Sequence, residues 1–562
     1  MKQLVECVPN YSEGRDRKVI DAIVAAIAEV EGVKVLDVDP GAATNRTVVT
    51  FVGAPEPVCE AAFRGARKAQ ELINMRQHHG AHPRSGATDV LPLIPVSGIT
   101  LEECAVLARN LAERLYLVLG IPCYCYEAAA FKPERRNLAV CRAGEYEALP
   151  EKMVDPARKP DFGDGWNETV ARCGATNVGA RNFLIAVNFK LNTTSTRRAN
   201  AIAFDVREKG RKAREGGKVD GALLKDAEGN QIWIPGTLKG CKAIGWFIEE
   251  YGIAQVSMNI TDIEATPLHV AFEEVCRAAA DRGLRVTGTE IVGLVPKKVL
   301  IDAGRFYLER QQRSLGISEA EIVKIAVKSM SLDDLRPFNP QEKVIEYLLG
   351  DGVPGRLAGM SVAAFARETA SESPAPGGGS VSAAMGAFGA ALAAMVANLS
   401  AHKRGWDDRW EEFSAVAEKG QALLDELLAL IDEDTAAFNR IMDALGMPKG
   451  TEAEKTARAD AMEAATLCAA MVPLRTMEAA LKALPLALEM AEKGNPASAS
   501  DAGVAALAAR AAIRGAHLNV RINAAGLKDQ APARPLLERA AAIEAEAAEL
   551  EAKALSAVEE KI

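Results

Sequence analysis

One short segment gathers side chains that could transfer protons or bind a metal ion. The segment HHGAHPRSGATDV, residues 78–90, contains half of the six histidines of the 562-residue chain: His78, His79 and His82. A neutral imidazole beside Arg84 and Asp89 suits proton transfer near pH 7. The first and third histidines are four residues apart, as in a helical metal site, but the glycine and proline around them disfavour a helix, and no H-E-x-x-H pattern is present. Spacing alone leaves two alternatives open, acid–base chemistry and ordinary surface histidines.

The sharpest single signal is an acid within an apolar helical stripe. Spacings of three and four connect Asp434 with apolar side chains on the same face: Leu424, Leu427, Ile431, Phe438, Ile441 and Leu445. Burial disfavours a charged carboxylate and is expected to raise the pKa of Asp434. An acid that holds its proton near neutrality can serve as a general acid or base. The alternative is a buried salt bridge, with Arg440 or Arg514 as the partner.

Three further segments are candidates for ligand binding. SPAPGGGSVSAA opens a helix whose bare N–H groups could bind an anion, or whose small residues could serve only close packing: Gly377, Gly378, Gly379 and Ser380. Residues 160–184 could wrap a flat heteroaromatic ligand, with Trp166 stacking on it, or could be an interdomain linker. GNPASASD, residues 494–501, indicates a turn and helix cap, or a polar ligand site.

The order of secondary-structure elements predicts a multidomain chain. Strand and helix patterns in the order β-α-β-β-α-β occur twice before residue 300, which predicts an α+β region of two ferredoxin-like subdomains, 1–180 and 181–334. In the second repeat we predict a helix over 197–214 and a surface loop over 218–239, with a hairpin at EGNQIW. A linker over 335–360 precedes an Ala-rich, all-α helical bundle over 361–562.

Composition excludes several classes of protein. The net charge is −9, and residues 1–360 hold 47 basic and 47 acidic side chains, so no extended basic face for nucleic acid is expected. Ten cysteines without a C-x-x-C pair indicate free thiols in a reducing compartment, and the opening MKQLVECVPN has no secretory pattern, so we expect a cytoplasmic protein. The uncharged stretch 373–401 is rich in alanine and glycine, which favours a buried helix over a membrane span.

At these segments the chain resembles the formiminotransferase-cyclodeaminase family. QLVECVPNYSEG, DVDPGAATNRTVVTFVG, HHGAHPRSGATDV, RAGEYEALP, PDFG, GATNVGARNFLIAVNFKLN and EIVGLVP resemble its transferase part. SPAPGGGSVSAAMGA, DEDTAAF, GNPASASD and NVRIN resemble its cyclodeaminase part. The similarity covers nearly the whole length in the same domain order. It implies transfer of a formimino group from N-formimino-L-glutamate to tetrahydrofolate, followed by cyclisation to 5,10-methenyltetrahydrofolate with release of ammonia.

The resemblance also implies roles for individual residues. His82 corresponds to the transferase acid–base and Asp434 to the cyclodeaminase acid. Substrate or folate contacts are implied for Asp39, Arg84, Gly163, Asp164, Gly165, Trp166, Gly174, the Gly377–Ser380 segment, Asn495 and Asp501. Polyglutamylated tetrahydrofolate is the implied co-substrate, no metal is expected, and the assembly implied is a ring-shaped homo-octamer of dimers.

Two other interpretations of the helical domain remain open. It also resembles methenyltetrahydrofolate cyclohydrolases, which add water instead of expelling ammonia. It could alternatively be a non-catalytic assembly scaffold, although the acid on the stripe and the GGGS segment argue against that.

Overall fold

A seven-stranded mixed sheet forms the N-terminal region of the computed structural model, which describes residues 3–42, 45–80, 83–217, 221–249, 251–350, 352 and 354–562. The strands are β1 (Leu4–Cys7), β2 (Asn10–Tyr11), β3 (Val33–Gly41), β4 (Arg46–Gly53), β5 (Thr88–Ser97), β6 (Cys123–Glu127) and β7 (Thr176–Ala180). β1 and β2 both lie between β4 and β5, so the spatial order is β3-β4-β1/β2-β5-β7-β6. All pairs are antiparallel except β5–β7 and β7–β6, which are parallel.

Helices cover this first sheet and bury its apolar face. They are α1 (Arg17–Ala28), α2 (Pro55–Leu72), α3 (Leu101–Leu119), α4 (Leu138–Arg142), α5 (Leu149–Val154) and α6 (Glu168–Cys173). Fully buried side chains from strands and helices share one core, among them Val5, Phe51, Ile27 and Leu115. The alternation of strands and helices predicted from the sequence is therefore present.

A second, four-stranded antiparallel sheet follows. Its elements are β8 (Ile185–Leu191), α7 (Thr196–Val206), β11 (Cys241–Ile248), β12 (Ile253–Ile260), α8 (Leu268–Ala280) and β13 (Val286–Val292). The spatial order is β11-β12-β8-β13. In both sheets the third strand of the α/β repeat pairs with the first, which places the first strand in the centre.

The connection between α7 and β11 differs from the prediction. The predicted helix over 197–214 ends at Val206, because the next residue, Arg207, is extended with a ψ of 146°. Gly210 beyond it has a φ of +67° and leaves no space for a side chain. The chain then forms the small antiparallel pair β9 (Arg211–Lys212) and β10 (Trp233–Ile234). A tight turn at 226–230, with the Asn230 N–H donating to Asp226 Oδ1 at 2.7 Å, agrees with the predicted hairpin.

The C-terminal region is helical, as predicted. α13 (Val362–Thr369) precedes a bundle of α14 (Gly378–Ala401), α15 (Trp410–Gly446), α16 (Glu452–Lys493), α17 (Ala499–Ala525) and α18 (Ala533–Glu559). Small residues allow the helices to approach closely, and Ala383, Ala387, Ala390 and Ala394 of α14 are buried in the common core. α14 and α16 are long and apolar enough to span a membrane by length and composition, but 61% of each apolar window is buried inside the bundle.

The chain divides into two compact units. The first unit comprises Met1–Val299 and Met330–Leu349, and the second comprises Leu300–Ser329 and Gly350–Ile562. Helices α9 (Lys297–Arg310) and α10 (Glu319–Ser329) lead into the bundle, where the Leu315 N–H donates to Ser414 Oγ at 2.9 Å. Residues 335–349, predicted as linker, contain α11 (Pro340–Lys343) and α12 (Ile345–Leu348), and a bridge between Val295 and Val344 attaches them to the first unit.

We predict that Gly174→Ala destabilises the first unit by about 2 kcal/mol or more. Gly174 has a φ of +70°, and a Cβ there would overlap the Ser85 carbonyl. Gly283→Ala is the matched control, because Gly283 has a φ of +69° with open space around it, so only the strain of about 1 kcal/mol applies. Differential scanning calorimetry of the full chain measures both; equal losses for the two variants would contradict the close approach.

Candidate active sites

The buried Arg84 is the centre of an ion cluster in the first unit. Its guanidinium donates to Glu147 Oε1 at 2.6 Å and Oε2 at 2.9 Å, and to Glu145 Oε2 at 2.9 Å. These hydrogen bonds raise the pKa of Arg84 and lower that of Glu147. A two-pronged guanidinium–carboxylate pair is geometrically specific, so Arg84 attaches the RAGEYEALP segment to the histidine segment.

The histidine segment is also held from the other side. His78 is buried; its Nε2 lies 2.8 Å from the Asn45 carbonyl, and its Nδ1 lies 3.4 Å from Arg84 Nε. The Asn45 side chain donates to the His79 carbonyl at 3.0 Å and accepts from the Gly14 N–H at 3.0 Å. Burial lowers the pKa of His78, which keeps that imidazole neutral. His78 is therefore a structural histidine of the segment.

His82, the predicted acid–base, lies outside the described residues. The described part of the segment resumes at Pro83. Near its end the buried Asp89 accepts from the Ser85 N–H at 2.9 Å and from Arg142. Asp39, by contrast, lies exposed on the edge strand β3, where it pairs with Val48. No described contact connects Asp39 with Arg84.

The glycine-rich residues 163–174 come close to the same segment. Gly174 is bridged to Gly86, and the Ala175 N–H donates to the Ser85 carbonyl at 3.0 Å. Trp166 is 39% exposed and lies with its ring centroid 6.0 Å from that of Tyr146, whose N–H donates to the Arg84 carbonyl at 2.9 Å. The structure thus brings Trp166 and Gly174 together with the Arg84 cluster.

The rest of that segment has backbone roles. Gly163 and Gly165 have φ values of +156° and +111°, and Asp164 accepts a hydrogen bond from the Tyr116 hydroxyl. Positive φ at two positions explains why glycine occupies them. The segment is therefore a specifically folded turn that leaves the Trp166 ring accessible.

Asp434 in the second unit lies directly against the first turn of α14. Ser380 Oγ donates to Asp434 Oδ2 at 3.0 Å and lies within the same distance of the Ile431 carbonyl. Burial raises the pKa of Asp434, and hydrogen bonds from the Ser380 hydroxyl and N–H partly oppose that rise. Burial favours the protonated form of this acid, while the positive end of the helix stabilises its anion, so the carboxyl group can serve in either protonation state.

The glycines of GGGS make this approach possible. A Cβ on Gly379 would overlap both carboxylate oxygens of Asp434, and one on Gly378 would lie 3.3 Å from the Asn519 amide nitrogen. A Cβ on Gly377, the N-cap, would have its nearest neighbour, the Pro374 carbonyl oxygen, at 3.8 Å. Gly379 and Ser380 therefore form one site with Asp434, and Asn519 of α17 lies beside it.

The salt-bridge alternative for Asp434 is wrong. Arg440 donates to Cys468 Sγ at 3.2 Å, and Arg514 lies 3.7 Å from Glu544. Within the described part of the chain Asp434 has no cationic partner. Its carboxylate is stabilised by hydrogen bonds alone.

Asn495 and Asp501 lie at the other end of the bundle. The Asn495 N–H donates to Ser400 Oγ at 2.8 Å, and its side chain accepts from the Ala497 N–H. Ser400 and Ser380 are on one straight helix and about 30 Å apart, so Asn495 is remote from Asp434 within the chain. Asp501 is in the first turn of α17, which starts at Ala499 rather than at Asp501.

Sequence reasoning missed the residues that position the first site. Asn45, Glu145, Tyr146 and Glu147 carry the contacts described above. The E-Y-E pattern, with two acids on either side of an aromatic residue, was the one available signal, but nothing in it indicated Arg84 as the partner. No group of three potential metal ligands occurs in the described ranges.

We predict that Asp434→Asn makes the helical unit more stable above neutral pH, by about 1–3 °C in melting temperature. The raised pKa means that the protonated acid is favoured in the folded state, so its contribution to stability is complete below the unfolded pKa and is lost as pH rises through the folded pKa. Asparagine stays neutral throughout. Calorimetry at pH 4 and pH 8 should show a gain only at pH 8.

Asp432→Asn is the matched control for that measurement. Asp432 accepts hydrogen bonds from the Leu357 and Ala358 N–H groups at 2.9 and 3.0 Å, so its replacement should destabilise. A stabilising effect of both variants, or of neither, would contradict a specific cost at Asp434.

Comparison with known families covers nearly the whole chain. A model of the formiminotransferase domain, N-terminal subdomain, matches residues 4–181, one of the formiminotransferase domain matches 186–350, and one of formiminotransferase-cyclodeaminase matches 361–542. The formimidoyltransferase-cyclodeaminase of Sus scrofa is 44% identical over 533 residues, 94% of each chain.

Single-function relatives match the two regions separately. Glutamate formimidoyltransferase of Streptococcus pyogenes is 41% identical over 55% of this chain and 94% of its own length. Methenyltetrahydrofolate cyclohydrolase of Methylorubrum extorquens is 40% identical over 36% of this chain and 97% of its own. Because full-length relatives match both regions in the same order, the chain belongs to the formimidoyltransferase-cyclodeaminase family.

Proposed function

We propose that the chain catalyses two consecutive steps of folate chemistry in histidine degradation. The first unit transfers the formimino group of N-formimino-L-glutamate to N5 of tetrahydrofolate and releases glutamate. The helical unit cyclises the product to 5,10-methenyltetrahydrofolate and releases ammonia. The observation that carries the second step is the half-buried Asp434 carboxylate, which has no described cationic partner and rests on the bare backbone of Gly379.

In the transferase step His82 acts as the acid–base. An imidazole can take the N5 proton as the amine attacks the formimino carbon, and can then protonate the departing glutamate nitrogen. Arg84 is a positioning residue, because its guanidinium is occupied by Glu145 and Glu147. This role is supported by the ion pairs of Arg84 with Glu145 and Glu147, which hold the part of the segment that follows His82 in the sequence.

The exposed Trp166 ring is the folate contact of the transferase site. An indole stacks well on a flat pterin, and Tyr146 connects Trp166 to the Arg84 backbone. Gly163, Asp164, Gly165 and Gly174 shape this turn. Asp39 binds substrate from the neighbouring edge strand.

In the cyclodeaminase step Asp434 protonates the leaving ammonia while N10 attacks the amidine carbon. A raised pKa supplies a protonated acid near neutral pH, and the resulting anion is stabilised by the Ser380 donors. Gly377 and Gly378 leave backbone N–H groups of α14 open to a polar part of the folate. Asn495 and Asp501 bind folate only if they meet this site from another subunit.

Tetrahydrofolate, in polyglutamylated form, is the co-substrate, and neither step needs a metal. The two sheets are ferredoxin-like subdomains, supported by the same strand order in both βαββαβ repeats. Ten free cysteines support a cytoplasmic location.

We predict that single substitutions separate the two activities. The purified chain receives formiminoglutamate and tetrahydrofolate, and glutamate, ammonia and methenyl absorbance are followed. Asp434→Asn should lower ammonia release at least 100-fold but leave glutamate release intact. His82→Ala should lower glutamate release. Intact glutamate release in His82→Ala would reject the transferase assignment.

Gly379→Ala and Gly377→Ala form a matched pair for the second site. The first adds a methyl group against Asp434 and should abolish ammonia release, whereas the second adds one to open space and should not. The cyclohydrolase alternative, which the 40% identical Methylorubrum extorquens relative supports, predicts hydrolysis of added methenyltetrahydrofolate without ammonia release from the formimino substrate.

The chain assembles into a homo-oligomer, a ring-shaped octamer of dimers. Support comes from large apolar side chains exposed on the adjacent helices α14 and α17: Phe388, Met395, Leu399, Val504, Leu507, Leu518 and Ile522. Such a set on one pair of helices is typical of a subunit contact.

We predict that Leu518→Asp with Ile522→Asp reduces the assembly to smaller species. These side chains are 63% and 71% exposed, so the substitution leaves the core of the subunit intact and buries charges only where a partner covers them. Native mass spectrometry measures the mass. Leu117→Asp, at a 71% exposed position of α3, is the control, and an unchanged mass for the double variant would reject this contact.

A further inference from the structure

A cationic cavity of the first unit lies beside α7, and its lining shares no residue with either site described above. It encloses about 760 Å³ and is lined by residues along the whole length of α7, by β9 and β10, and by Arg282. This volume is in the range of small-molecule sites. The hairpin that follows α7 forms one wall, so the cavity exists because the helix stops at Val206.

Seven cations line this cavity: Arg197, Arg198, Arg207, Arg211, Lys212, Arg214 and Arg282. None of the described lining residues is acidic. One nearby carboxylate, Asp205, pairs with Arg211 and Arg282. Arg207 and Arg214 donate to backbone carbonyls, of Gly210 at 3.0 Å and Gly221 at 2.9 Å, so the charge of the cluster is largely uncompensated.

Two features show that this concentration of charge is costly to the protein alone. Arg197 and Arg198 are in the first turn of α7, where the helix dipole disfavours cations. Burial lowers the pKa of Arg207, Arg211 and Arg282, which reflects the cost of holding charge there. An anion in the cavity would relieve both costs.

The remaining wall is aromatic. Trp233 of β10 and Phe204 of α7 are half-buried and line the cavity. The Arg207 guanidinium lies 4.0 Å from the Phe204 ring centroid and Lys209 Nζ lies 4.5 Å from that of Trp233, so a base would stack on the ring faces that these cations leave open. Guanidinium groups bind phosphate through paired hydrogen bonds, and aromatic rings stack on a flat base. A ligand with several adjacent negative charges and one ring fits this combination better than a single carboxylate does.

We propose that this cavity is a binding site for a nucleoside triphosphate, with the phosphates among the arginines and the base against the aromatic wall. The site is separate from the two proposed reactions and does not depend on them. It gives the connection between α7 and β11 a function in binding rather than in the transferase chemistry.

Isothermal titration calorimetry of the full chain tests the site, with ATP, inorganic tripolyphosphate, adenosine and hexaglutamate as the probes. We expect ATP to bind at micromolar concentration in 50 mM salt, tripolyphosphate to bind several-fold more weakly, and adenosine not to bind. Hexaglutamate binding as tight as that of ATP, or absence of ATP binding, would overturn the proposal.

The variant Arg197→Gln/Arg198→Gln/Lys212→Gln removes three lining charges for which the described residues provide no ion-pair partner. ATP affinity should fall at least tenfold, while glutamate release without ATP stays unchanged. The control Arg17→Gln/Lys18→Gln/Arg136→Gln removes three exposed charges elsewhere in the first unit. Equal affinity losses in the two triple variants would reject the cavity as the site.

Discussion

The approach of the Asp434 carboxylate to the backbone of Gly379 is the contact on which the helical unit's chemistry depends. No side chain fits between α14 and α15 at this level, so the two helices and the acid have one relative arrangement. The acid gains hydrogen bonds from Ser380 but loses hydration, and the balance raises its pKa. Close packing therefore produces the reactive group, and any residue larger than glycine at position 379 would displace it.

The first unit uses a different method to position its site. There the described residues of the histidine segment that precede β5 belong to no helix or strand, and side-chain contacts replace the rigidity of a helix. Asn45 holds it on one side, while Arg84 with Glu145 and Glu147 holds it on the other. Segments on rigid frames commonly carry catalysis for this reason, and the sheet strands β4 and β5 provide the frame here.

The two methods have different consequences for tolerance to change. In the bundle, small residues of α14, α15 and α17 are required by contact distances of the backbone, so the sequence there is rich in alanine and glycine. In the first unit the carboxylates of the ion cluster around Arg84 are partly exposed, so its ion pairs add little to the free energy of unfolding. Their paired hydrogen bonds fix the position of the segment. The cationic cavity beside α7 is a third case, in which the local charge opposes stability.

Much of the fold was predictable because periodicity is a local property. The two βαββαβ repeats, the helical bundle and the apolar stripe around Asp434 all follow from spacing of apolar side chains, and the stripe also predicted the raised pKa. The end of α7 at Val206 was not predictable, since the path of the chain beyond it depends on the approach of 210 to 234–236 across the connection to β11. The partners of Arg84, the lack of a cation beside Asp434 among the described residues and the separation of Asn495 from Ser380 likewise required the tertiary structure. Each is a contact or distance between residues far apart in the chain, and no local pattern determines which of several acids, arginines or helix ends will meet.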